Sequence, residues 1–233
     1  TIELNRSKPI EQDLTSTSFL KDIEDWGKIA SNIYLWDYTV NFSHSTSPFP
    51  NLHVLQPNIQ FLTRNGAHQH FQQSNTGVGH EMSELKSYLI SRLLWNPDIN
   101  IDSVISDFVN GYFEEAAPSV LQYIQRLTAE IQKTGEWLDI YGHPVAHAKT
   151  FLSDSNMVIY NRLFDDAEAS VVEKPDILQR VKIYRLPIQY AAIEIGKNDM
   201  FGPRGFYAEK NGLFELRAGM KKLVDDFYGT CKN

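Results

Sequence analysis

The stretch Asn32-Ile33-Tyr34-Leu35-Trp36-Asp37-Tyr38, continued by Asn41-Phe42-Ser43-His44 and Pro48-Phe49-Pro50, decides how the rest of the chain is read. Its apolar run, Ile33 to Trp36, stops at a carboxylate flanked by two aromatic rings, and a polar loop follows. A short apolar run bounded in this way reads as a buried strand over about residues 32–37. A parallel sheet covered by helices requires strands of this kind. In such folds the chemistry gathers where the strands end, at their C-terminal edge. Asp37 stands at that edge and is the candidate catalytic residue. The alternative is an aspartate that caps the next turn through its side chain.

On either side of this strand the apolar period is helical. Phe19, Leu20, Ile23, Trp26 and Ile29 predict a helix over about 19–30, with Ser18 as its N-cap. Leu52, Leu55, Ile59 and Leu62 predict another over 51–64, which Asn65-Gly66 stops. A second strand is expected over 67–73, Ala67-His68-Gln69-His70-Phe71-Gln72-Gln73, unusually polar for a core strand. Ser74-Asn75-Thr76-Gly77-Val78-Gly79 then reads as a turn, and a helix follows to Trp95, ended by Asn96-Pro97. Helix, strand, helix, strand, helix is the alternation of a parallel α/β unit. Beyond it the pattern predicts helices alone, at about 101–113, 117–133, 154–172, 176–196 and 208–228, with Pro187 expected to kink the fourth of them. The expected fold is therefore α/β over 1–97 and all-helical over 98–233, mostly α by content.

Composition narrows the function. A net charge of −7 argues against a nucleic-acid surface, and no run of about 18 apolar residues predicts a membrane span. The chain starts Thr1-Ile2-Glu3, without an initiator Met, so an upstream segment is expected. Cys231 stands alone, which excludes an internal disulfide. Nucleophile-elbow, phosphate-loop and dinucleotide motifs are absent, and no cofactor is expected. Histidines crowd residues 44–80, and His68-x-His70 shares one strand face, but neither thiol nor carboxylate is adjacent and no metal is expected.

Polar candidates concentrate at the two strand ends. Asp37 would act on a substrate that Trp36, Tyr38, Asn41, His44, His70, Gln72, Gln73 and Glu81 bind. Trp36, Tyr38, Phe42 and Phe49 offer rings on which a sugar can stack, although such rings also serve as core. Glycoside hydrolysis needs a pair of carboxylates across a cleft. The second strand ends in Gln72-Gln73, which cannot ionise, and Glu81 lies at a helix start, where an anion is favoured for electrostatic reasons alone.

Several segments together resemble a bacterial family labelled as a domain of unknown function. That family is similar to glycoside hydrolase TIM barrels and related to α-glucuronidases. The likeness lies in Trp36-Asp37-Tyr38-x-x-Asn41-Phe42, Pro48-Phe49-Pro50-Asn51-Leu52, Asn65-Gly66-Ala67 and Phe71-Gln72-Gln73. It continues through Glu84-Leu85-Lys86-Ser87-Tyr88-Leu89, Leu93-Leu94-Trp95-Asn96-Pro97, Phe108-x-x-Gly111-Tyr112-Phe113 with Ala116-Ala117-Pro118, and Arg180-Val181 before Leu186-Pro187. The resemblance implies the C-terminal portion of a (β/α)8 TIM barrel followed by a helical region, the remaining strands coming from upstream. It also implies an oligosaccharide or polysaccharide partner, with uronic acid a candidate component, and a periplasmic, extracellular or cell-surface location. Where Phe-Glu-Gln is expected, this chain has Phe71-Gln72-Gln73, so it is expected to lack a complete two-carboxylate site. The competing reading is a non-catalytic helical interaction or carbohydrate-binding module. The two differ in whether the strand-end residues share one surface.

Overall fold

Tyr34–Tyr38 forms β1 and Gln69–Gln73 forms β2, and the two pair in parallel, with Trp36 opposite Phe71 and Asp37 opposite Gln72. Parallel neighbours need a crossover, and Leu52–Arg64 (α2) supplies it. This computed structural model describes residues 4–30, 32–74, 77 and 79–232; Asn75, Thr76 and Val78 of the expected turn lie outside the described residues, as do residues 1–3 of the N-terminal stretch. Before β1 runs Thr17–Ile29 (α1), which starts one residue ahead of Ser18, so Ser16 rather than Ser18 occupies the cap position.

The side chains of a strand alternate between its two faces, and here the faces differ in kind. Leu35 and Ile33 pack with Phe19 and Leu20 of α1 onto a cluster of Leu4, Ile10, Ile23, Phe61, Leu62 and Ala67. The opposite face carries Tyr34, Trp36 and Phe71, all exposed. Helices α1 and α2 thus cover one side of the pair and leave the other open. Gly27 permits the close approach of α1 to the end of α2: a Cβ there would lie 2.7 Å from the backbone oxygen of Asn65.

The helical remainder comprises Ser83–Trp95 (α3), Ile101–Phe113 (α4), Ala117–Thr134 (α5), Asp154–Ser170 (α6), Pro175–Asn198 (α7) and Ala218–Lys232 (α8). The apolar stripes of α3 to α7 meet in a larger core that runs from Phe49 and Leu52 through Leu89, Phe113, Tyr123 and Phe164 to Ile195, to which α8 adds no buried residue. This core spans both sides of residue 97. Helix α7 runs unbroken through Pro187. Among the described residues no helix is long and apolar enough to cross a membrane.

The region of 208–228 departs from expectation. Instead of one helix, Tyr207–Lys210 (β3) and Leu213–Leu216 (β4) form an antiparallel hairpin before α8. The cause is Asn211-Gly212: both residues take positive φ, 54° and 78°, as the tight turn of a two-residue hairpin requires. Leu213, Phe214 and Leu216 have a spacing that fits a helical stripe, but the turn chemistry beside them overrides it.

Candidate functional site

The two predicted strand ends do lie side by side, but alternation sorts the candidate residues onto opposite faces. Leu35 and Asp37 of β1, with His70 and Gln72 of β2, belong to the helix-covered side. Trp36 and Tyr38, with Phe71 and Gln73, belong to the open side.

On the covered side Asp37 is tied down. Arg6 Nη1 donates to Asp37 Oδ1 at 2.6 Å, and the side chains are 7% and 13% exposed respectively. The Tyr38 backbone N–H donates to the same oxygen at 2.8 Å. Arg6 itself is fixed by the backbone bond from its N–H to the Leu138 carbonyl, 3.0 Å. A cavity of about 330 Å³ lies beside the pair, lined by Arg6, Asp37, Leu35 and Phe19 among others. His70 Nε2 donates to the Ala67 carbonyl at 2.6 Å, which closes the end of β2 locally.

The open side is a strip of rings. Trp36 and Phe71 lie across the pair with centroids 4.6 Å apart and are 56% and 42% exposed. Trp36 Nε1 donates to Gln73 Oε1 at 2.9 Å, which holds the indole in one orientation. Past the strand end, Tyr38 meets Phe42 at 5.3 Å and Phe42 meets Tyr141 at 5.9 Å. Phe49, the fourth ring considered for stacking, is instead in the core.

The long loop after β1 is anchored, which gives the strip a rigid end. The Phe42 N–H donates to the Ile140 carbonyl at 2.6 Å. Asn41 Nδ2 donates to the Gly142 carbonyl at 2.7 Å while its Oδ1 accepts from the His44 N–H at 2.8 Å. Asn41 therefore shapes the loop and fixes His44. The His44 ring shares a 2.7 Å hydrogen bond with Tyr190 Oη through Nδ1 and lies 4.3 Å, centroid to centroid, from the ring of His143. Burial and the neighbouring His143 hold the His44 pKa below the usual histidine value. His143 Nε2 is 3.7 Å from Glu194 Oε2.

Glu81 sits elsewhere. Its carboxylate is buried and ion-paired to Lys86, whose ammonium also donates to the Phe49 carbonyl at 3.2 Å. Burial pushes the Glu81 carboxyl above its ordinary pKa, although Lys86 opposes the shift.

Residues 1–125 match the model of a family described as a domain of unknown function (DUF4838), a match over more than half of the chain. The chain belongs to this family. No curated protein and no protein of solved structure matches it. The family-matched stretch holds β1, β2 and the rings from Tyr34 to Phe71, whereas Tyr141, His143, Tyr190 and Glu194 lie beyond it.

Sequence reasoning missed Arg6, Phe71, Tyr141, Tyr190 and Glu194 as members of this region. Phe71 was readable, since strand alternation sets it on the face of Trp36 once the register is known. Tyr190 and Glu194 share a helix face by their spacing, but nothing local says which loop they meet.

Proposed function

We propose that the open face of the β1–β2 pair and the loop at its C-terminal end bind a carbohydrate, and that this chain by itself binds without cleaving. The observation that carries the reading is the Trp36–Phe71 ring pair: two large, exposed rings, one of them fixed in orientation by Gln73. Exposed apolar patches on a folded chain mark interaction surfaces. Rings with a polar rim suit a sugar, whose C–H faces stack while its hydroxyls take hydrogen bonds. Tyr38, Gln73 and Tyr141 supply that rim, with the Phe42 ring between the two tyrosines.

Binding rather than hydrolysis is favoured by the state of the carboxylates. Retaining and inverting mechanisms both need carboxyl groups that face each other across the sugar. Asp37 is engaged by Arg6 on the side away from the rings, and Glu81 is buried with Lys86. Asp37 then serves as an anchor that joins β1 to the N-terminal segment.

The pair also fits the partial (β/α) barrel that the family resemblance implies. Helices cover one face, as on the outside of such a barrel, and the ring face would turn inward with Tyr38 and Gln73 at its mouth. The glycan class that the resemblance suggests is one bearing uronic acid, met outside the cytoplasm.

Isothermal titration against neutral and uronate-bearing oligosaccharides tests the reading. Binding by the parent chain that weakens about five- to tenfold in Trp36→Ala is expected, the ring contact being worth ~1–1.5 kcal/mol. Release of sugar by the purified chain, lost in Asp37→Ala, would contradict the non-catalytic part.

A further inference from the structure

At the far end of the ring strip lies a cluster that stacking does not use. His44, His143 and Glu194 each bring one ligand-type atom into a space in which all three atoms lie within 4.8 Å of one another. They come from the loop after β1, the connector before α6 and the last turns of α7, so the fold, not local sequence, assembles them. Among the described residues this is the one such group of three.

We propose that this trio is a binding site for a divalent transition ion of the zinc class, with a further position open to solvent. Two imidazoles and one carboxylate are the donors that zinc takes when it keeps an open coordination position. Calcium and magnesium prefer oxygen cages and are not matched. The 3.7 Å between His143 Nε2 and Glu194 Oε2 is long for a hydrogen bond. It is close to the spacing of two ligands on one tetrahedral ion, roughly 3.4 Å for bonds of about 2.0–2.1 Å.

The surroundings of the trio support the assignment. Tyr190 Oη holds His44 Nδ1 at 2.7 Å, the kind of outer partner that orients a ligating imidazole and leaves Nε2 to the metal. Lys197 Nζ takes Glu194 Oε1 at 2.8 Å, which leaves Oε2 for the ion. His143 Nδ1 accepts from the Val145 N–H at 3.2 Å, which in the metal-free chain puts the ring proton on Nε2. Metal at Nε2 displaces that proton and costs the chain this one long capping bond; the exposed ring has room to turn. Other histidines are engaged: His53 with the Ser7 carbonyl, His70 with that of Ala67, and His147 with Glu136. The site stands on its own geometry and does not depend on sugar binding.

The test is titration of the full chain, free of any affinity tag, with zinc by calorimetry and with cobalt by visible absorption. Cys231 is an exposed thiol and is first replaced, as Cys231→Ser, so that it does not bind metal itself. One equivalent is expected, with the absorption bands of low-symmetry cobalt. His143→Asn keeps a cap acceptor for the Val145 N–H but removes the ligand nitrogen; it and Glu194→Gln should each weaken binding at least about 100-fold. Tyr190→Phe, which removes only the outer partner, should weaken it about tenfold. Circular dichroism checks that each variant is folded. The absence of saturable binding, or binding that survives both His143→Asn and Glu194→Gln, overturns the proposal.

Discussion

Replacing Asp37 by Asn should cost stability rather than ligand affinity. The substitution leaves the Arg6 guanidinium, 7% exposed, without its counter-ion. Removing one partner of a buried ion pair typically costs about 3–5 kcal/mol. Two features lower that figure here. The asparagine carbonyl can still accept from Arg6, and the cavity of about 330 Å³ beside the pair gives water a way in. About 2 kcal/mol is then expected, the lost counter-charge costing less than the ~3–5 kcal/mol of a fully stranded partner. For a chain of this size that corresponds to a fall of roughly 4–8 °C in the unfolding midpoint. Urea denaturation followed by circular dichroism measures it. Arg6→Met combined with Asp37→Asn should cost less than the sum of the single changes, because each removes the same interaction. If Asp37→Asn left stability within about 0.5 kcal/mol of the parent, the range of an ordinary surface change, and abolished sugar binding, the anchor role would be wrong and Asp37 would belong to the site.

Further expectations rest on other parts of the fold. Lys86→Met strands the buried Glu81 carboxylate and should destabilise by about 3–5 kcal/mol, most of it recovered in the double replacement Glu81→Leu/Lys86→Met; urea midpoints of the three chains decide this. Gly27→Ala places a methyl 2.7 Å from the Asn65 oxygen and should cost about 1–3 kcal/mol by overpacking, read from the thermal midpoint. Burial holds the His53 pKa below the ordinary histidine value although the hydrogen bond to the Ser7 carbonyl opposes the shift. The unfolded chain therefore binds the proton more readily. The stability that the neutral ring contributes is complete above pH ~6.5 and is lost as pH falls through the depressed folded value. Unfolding midpoints at pH 7 and pH 5 should differ less in His53→Gln, which keeps a donor for the Ser7 carbonyl and cannot titrate.

Periodicity carried much of the fold. The helices from α2 to α7 lie within a few residues of where their apolar stripes place them, and the parallel pair follows from the helix–strand alternation around Ile33 and Phe71. The β3–β4 hairpin is not legible from periodicity, because Leu213, Phe214 and Leu216 fit a helical spacing, while Asn211-Gly212 carries the stronger local instruction. The candidate site was legible only in part. Trp36, Tyr38 and Gln73 could be named from the strand ends, but strand parity turns Asp37, His70 and Gln72 to the other side. Which face the helices cover depends on where Phe61 and Leu62 dock, a tertiary fact. Arg6 lies in an irregular stretch with no period at all, and its pairing with Asp37 spans a separation that no local pattern encodes.

The most direct test of the central claim uses the indole of Trp36, whose N–H bonds to Gln73. In a two-dimensional nitrogen–proton spectrum each tryptophan side chain gives its own resonance, assigned by replacing Trp36, Trp95 and Trp137 in turn. Titration with an oligosaccharide that the chain binds should move the Trp36 resonance and leave in place that of Trp95, which is exposed at the end of α3. Saturable binding that leaves the Trp36 resonance unmoved would contradict the account, because the sugar would then sit somewhere other than the open ring face.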